Sequence, residues 1–138
     1  MKLPRFPLVR RLSAASGLLL FALASCRTAP APVDTATMTA PKLVQAAQAE
    51  ADKGNYQLAL TYYQAIRDRF PNDMERSLWS SYEIAFLQYR MGKDDEAVRL
   101  FDELIKLYAD RNDPSLPQGP RILSEKIRAN ILAKKKTP

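Results

Sequence analysis

Gly54-Asn55-Tyr56-Gln57-Leu58-Ala59 and, 38 residues further on, Gly92-Lys93-Asp94-Asp95-Glu96-Ala97 are the stretches that decide the fold. Each opens on a glycine, which reaches left-handed dihedrals without a Cβ penalty, so each predicts a tight reversal between helices. Apolar residues recur at helical spacing on both sides of each reversal. Leu43, Ala46, Ala47 and Ala49 begin a first helix that ends near Lys53. Tyr56 to about Arg69 makes a second, with Leu58, Ala59, Tyr62, Tyr63, Ile66 and Phe70 on its apolar side. Pro71-Asn72-Asp73 stops that helix and opens a third, capped by Asp73 or Ser77 and running to Met91. A fourth helix runs from about Asp94 to Tyr108, with Asp94, Asp95 and Glu96 at its positive end, where acids are favoured.

The same offset pairs Ala47 with Ala85, Tyr63 with Phe101 and Ile66 with Leu104, and more loosely Phe70-Pro71-Asn72-Asp73 with Tyr108-Ala109-Asp110-Arg111. Ala59 and Ala97 let two helix backbones approach where a larger side chain would wedge them apart, and Tyr63 and Phe101 fill the space one turn on. This pattern resembles the tetratricopeptide repeat, with Gly54 and Gly92 in the turn, Ala59 and Ala97 at the crossing, aromatic Tyr63 and Phe101, and Pro71 after the second helix. The fold expected is all-α: a short α-solenoid of two such hairpins, about 41–73 and 74–110, with a C-terminal capping helix. The period exceeds the usual value of about 34, which predicts a lengthened third helix. The long period and the Phe70-Pro71-Asn72 turn resemble outer-membrane assembly lipoproteins and Tol–Pal-associated periplasmic repeat proteins.

Two repeats leave exposed apolar ends, so a cap is expected. Residues 111–119 read as a connecting loop. Pro120 suits a first helical turn, and Ile122, Leu123, Ile127, Ile131 and Leu132 give a helix over 120–133 an apolar stripe for packing on the fourth helix. Lys134-Lys135-Lys136 begins a basic tail, 134–138, read as a frayed terminus or a contact for anionic lipid or peptidoglycan.

Trp79, Tyr82, Phe86 and Tyr89 recur as one stripe on the third helix, followed by Arg90. In the repeat family the inner face of the first helix of each hairpin lines a concave groove. The resemblance therefore makes Trp79, Tyr82, Phe86, Tyr89 and Arg90 the candidate partner-binding set, with Val44, Gln48, Ala51 and Asp52 as the blander matching positions. The alternative places the rings in the core of a self-contained or self-associating structural protein. Glu83 reads as a surface acid.

The N-terminus has a different character. Residues 1–11 carry Lys2, Arg5, Arg10 and Arg11 and no acid, ahead of the apolar run Gly17 to Ala24. That is the pattern of a secretory signal, and the run is too short for a comfortable span of about 20 residues. Leu23-Ala24-Ser25-Cys26 resembles the lipobox of bacterial lipoproteins, which implies a signal over 1–25 and lipidation of Cys26. Arg27 replaces the Asp associated with inner-membrane retention, so the resemblance leans to the outer membrane, facing the periplasm. Residues 26–40, rich in Ala, Thr and Pro, read as a flexible tether: they offer too little apolar area to offset ordering entropy.

Composition closes several routes. The chain has 138 residues, no His and one Cys, which excludes His-dependent catalysis, imidazole-held zinc or haem, and an internal disulfide. The net charge of +6 is uneven: residues 121–138 hold +5 and 26–120 hold −3, so the basic balance is no footprint of a nucleic-acid groove. No cofactor or metal is expected, and no enzyme. The reading is a lipid-anchored interaction scaffold or adaptor in a bacterial envelope complex, its partner an envelope protein or peptide segment or a second copy of the chain.

Overall fold

The computed structural model describes residues 34–136. The leader 1–25, Cys26 and the tether as far as 33 lie outside the described residues. Five helices follow in order: α1 (Ala40–Asp52), α2 (Tyr56–Arg69), α3 (Met74–Arg90), α4 (Asp94–Arg111) and α5 (Gly119–Lys136). Among the described residues the fold is all-α, a short solenoid in which α1 folds back on α2 and α3 on α4, with α5 against α4 and α3.

The two reversals are copies of one another. Gly54 and Gly92 adopt φ of +80° and +74°, and nothing lies within 4 Å of where a Cβ would stand, so the backbone conformation alone selects glycine. Asn55 N donates to Glu50 O at 2.9 Å and Lys93 N to Gln88 O at 3.0 Å, the same bond displaced by the repeat offset. Such bonds satisfy the carbonyls that a helix end leaves without partners. Asp73 caps α3, its carboxylate accepting from Arg76 N at 3.2 Å. Asn112 ends α4 in the left-handed region at φ 46°.

Two cores meet across α3. Leu43, Ala47, Ala59, Leu60, Tyr62, Tyr63, Ala65 and Ile66 of the first hairpin close over Ile84 and Leu87 of α3. Leu78, Tyr82 and Ala85 of the same helix pack with Ala97, Phe101, Leu104, Tyr108, Leu116 and Ile131. Ala47, Ala59, Ala85, Ala97 and Phe101 are all fully buried. Closing both cores takes length: α3 has 17 residues against 13 for α1.

The described structure departs from the expected segments at both ends. Residues 34–39, assigned to a flexible tether, are fastened to the body. Arg69 donates from Nη1 to the carbonyls of Thr35 and Met38, the Asp34 carboxylate accepts from Ala36 N at 2.8 Å, and Met38 packs on the first core. Composition hides this because the bonds go to backbone carbonyls. At the other end α5 runs through Lys136 rather than fraying after 133. Lys134 donates to the Tyr89 hydroxyl at 2.9 Å and Lys135 pairs with Asp95, so long-range contacts hold what local sequence reads as a tail. No helix among the described residues is long and apolar enough to cross a membrane.

Candidate functional site

α1 and α3 run side by side in one direction, and a groove lies between them. At the end where both helices begin, Val44 and Gln48 face Glu75, Arg76, Trp79, Ser80 and Glu83 around a hollow of about 240 Å³. At the other end Gln48, Ala51 and Asp52 face Glu83, Phe86, Leu87 and Arg90, with Tyr56 of α2, around about 220 Å³. Tyr63 of α2, Gln48 and Glu83 line both hollows, so the two are halves of one trough with Tyr63 at its base.

Of the five aromatic and basic positions expected on this face of α3, Trp79, Phe86 and Arg90 line the groove and Tyr82 and Tyr89 do not. Helical residues advance by about 100° each, so Trp79, Phe86 and Arg90 fall on one flank of α3 and Tyr82 and Tyr89 on the next. Tyr82 is buried between Trp79, edge-on with centroids 6.0 Å apart, Phe86, stacked at 5.9 Å, and Phe101 at 6.1 Å. Tyr89 turns toward α5, with the Lys134 ammonium 5.4 Å from its ring centroid. These two rings stitch α5 to the solenoid, which is the core role weighed against a groove role.

Trp79 stands at the boundary. It is 36% exposed and lines the trough, yet an ideal Cβ on Gly119 would come within 2.8 Å of its ring. Gly119 therefore opens α5 without a side chain because the indole lies against its backbone. Arg90 is exposed and bridges the hairpins, donating to the Tyr56 hydroxyl at 2.7 Å with its guanidinium 5.4 Å from that ring and 6.0 Å from Phe86.

Glu83 corrects the surface-acid reading. It is half-buried in the trough, and burial pushes its carboxyl up from the usual range. It makes no hydrogen bond or ion pair among the described residues. Tyr63 is 4% exposed with its hydroxyl likewise unpartnered, and burial first, then the Glu83 and Asp52 carboxylates, hold its hydroxyl well above the ordinary tyrosine range. The spacing of Trp79, Glu83, Phe86 and Arg90 at i, i+4, i+7 and i+11 was the available signal for this flank. The eye follows the rings instead, and the rings divide. Among the described residues no three His, Cys, Asp or Glu side chains come together to hold a metal ion.

A larger hollow of about 610 Å³ lies between the end of α4, the following loop and α5. Several of its polar groups are already engaged: Tyr108 donates to Pro117 O, Arg121 to Gln118 at 3.1 Å, and Asp113 accepts from Ser115 N at 2.9 Å.

Residues 43–73 and 79–111 match the tetratricopeptide repeat family. The two hairpins, α1–α2 and α3–α4, are helical hairpins of the tetratricopeptide type. Their first helices, α1 and α3, are the ones that form the trough, and α5 occupies the place where the first helix of a third repeat would stack. The chain is also similar to an uncharacterized protein of Treponema pallidum (strain Nichols), 28% identical over 99 residues, which cover 71% of this chain and 40% of that protein. It thus spans about two fifths of that relative's length. No solved structure matches. Repeats of this type support a protein–protein interaction scaffold with protein partners.

Proposed function

We propose that the protein is a lipid-anchored adaptor in a bacterial envelope complex, with the trough between α1 and α3 as its contact face. The observation that carries the partner face is a concave surface whose central polar groups, the Tyr63 hydroxyl and the Glu83 carboxylate, lack partners within the domain. Both groups open on the trough and have no partner of their own among the described residues, so the face is suited to completion by another chain. The anchor rests on Leu23-Ala24-Ser25-Cys26 and on the basic and apolar stretches before it. In this reading 1–25 is the signal, Cys26 carries acyl chains, and the membrane is the outer one. Two or three acyl chains hold firmly where one binds only marginally. With Thr35 and Met38 clamped by Arg69, seven residues, 27–33, separate the anchor at Cys26 from the body at Asp34, a reach of at most about 29 Å over eight Cα steps.

A photo-crosslinking residue at Gln48 in intact cells is expected to capture a second protein, and the same residue at Ile122, exposed on α5, is not. Metabolic labelling with palmitate is expected in the wild type and absent from Cys26→Ala. The burial of Tyr82 and the cover that α5 gives Tyr89 favour a second reading, a self-contained or self-associating structural lipoprotein. Crosslinks from Gln48 to its own chain alone would establish that one.

A further inference from the structure

We propose that the trough takes an extended basic segment of a partner protein, with a Lys or Arg side chain seated between Glu83 and Tyr63. This rests on reading the trough as the partner face and deepens it by naming the partner's chemistry. One of the trough's two cations is paired with an acid and the other is held by a phenol and rings, whereas its carboxylates are held by nothing among the described residues. Arg76 pairs with Asp73 outside the trough, and Arg90 donates to Tyr56 and lies over its ring and that of Phe86. Asp52 at one end, Glu75 at the other and Glu83 in the middle make no hydrogen bond or ion pair among the described residues. Three unpaired carboxylates against the one guanidinium not paired with an acid, that of Arg90, leave the trough net negative.

Tyr63 adds an independent pointer. It is more than nine-tenths buried, lines both hollows, and has a hydroxyl without a partner. That hydroxyl opens on the hollows, where it is free to bond an incoming polar group. Its O–H can donate to a backbone carbonyl of the bound segment while the neighbouring carboxylate receives the cation. Trp79, exposed on the rim, offers its ring to the aliphatic stem of the same side chain. An acidic segment would instead meet three unpaired carboxylates.

The test uses the full chain in detergent micelles and fluorescence anisotropy. The probes are labelled Ala/Ser peptides of about ten residues bearing two Lys, with Glu replacing Lys as the counterpart. The Lys peptide is expected to bind at least roughly tenfold more tightly, to weaken as salt rises, and to lose about tenfold in Glu83→Gln. That variant should melt no lower than wild type, so lost binding is not lost folding. Asp52→Asn should lose less than Glu83→Gln. Equal or tighter binding of the Glu peptide overturns the proposal, as does Lys-peptide binding that Glu83→Gln leaves unchanged. Self-association in sedimentation that Glu83→Gln abolishes also overturns it and gives the trough to a second copy. If Gln48 still captures a partner in cells while the Lys preference is missing, the partner face stands and its chemistry fails. If capture is missing as well, both fail.

Discussion

In the first hairpin the exposed side of α1 presents Val44, Gln48, Ala51 and Asp52 and stays uncovered, whereas in the second the rings of α3 are divided between an open flank and one sealed by α5. The hairpins share their turn, their close crossing at Ala59 or Ala97, and the aromatic that follows. They differ in what lies on the next face over. The first hairpin has α3 as its neighbour and leaves a trough between them; the second has α5, drawn in by Tyr82, Ile131 and the Lys134–Tyr89 contact. A repeat thus fixes how its own two helices pack. The neighbour decides whether an exposed ring becomes a binding surface or core.

The largest effect that separates the hairpins should come from Phe101→Ala, which empties a fully buried site where α3, α4 and α5 meet. A loss of about 3–5 kcal/mol in denaturant unfolding is expected, with α5 released before α1 and α2 in hydrogen exchange. Loss of protection in both hairpins together would show that the two cores are one cooperative unit. Next in size, Ala97→Leu should cost about 1–3 kcal/mol by wedging the crossing apart, and Ala59→Leu a comparable amount if the crossings are equivalent. Near-wild-type melting of either would remove that equivalence.

Much of this comparison could be read in the sequence. The helices, both turns and the small crossing residues are local signals repeated at a fixed offset, and repetition is what makes them legible. The allocation of α3's rings was not. Trp79, Tyr82, Phe86 and Tyr89 form one chemical stripe but span an arc wide enough to meet two neighbours, and only the position of α5 separates them. Glu83 and Tyr63 were both visible, one as a surface acid and the other as packing. Their meeting at the base of a trough depends on how two hairpins stack. The Arg69 clamp on residues 34–39 left no trace because its targets are backbone carbonyls.

Smaller effects sharpen the contrast. Gly54→Ala and Gly92→Ala should each cost about 1–2 kcal/mol, since both positions demand positive φ while space is free. Gly119→Ala works by the opposite cause, displacing the Trp79 ring, and should shift tryptophan emission with little change at the first hairpin. Smallest is the pH response of Glu83. Burial raises its folded-state pKa above the unfolded one, so the folded chain holds the proton more tightly and its stability falls as pH rises through that interval. Glu83→Gln should therefore raise the melting temperature at neutral pH and make no difference well below the ordinary glutamate range. A gain that persists in acid would trace to something other than ionisation.

The most direct test of which face is used is chemical-shift mapping of the full chain in micelles during titration with the Lys peptide. Shifts concentrated at Val44, Gln48, Ala51, Tyr63 and Glu83, with Ile122, Leu123 and Ile127 of α5 unmoved, are the predicted result. Shifts confined to α5 and the end of α4 would contradict it and move the binding face to the other side of the molecule.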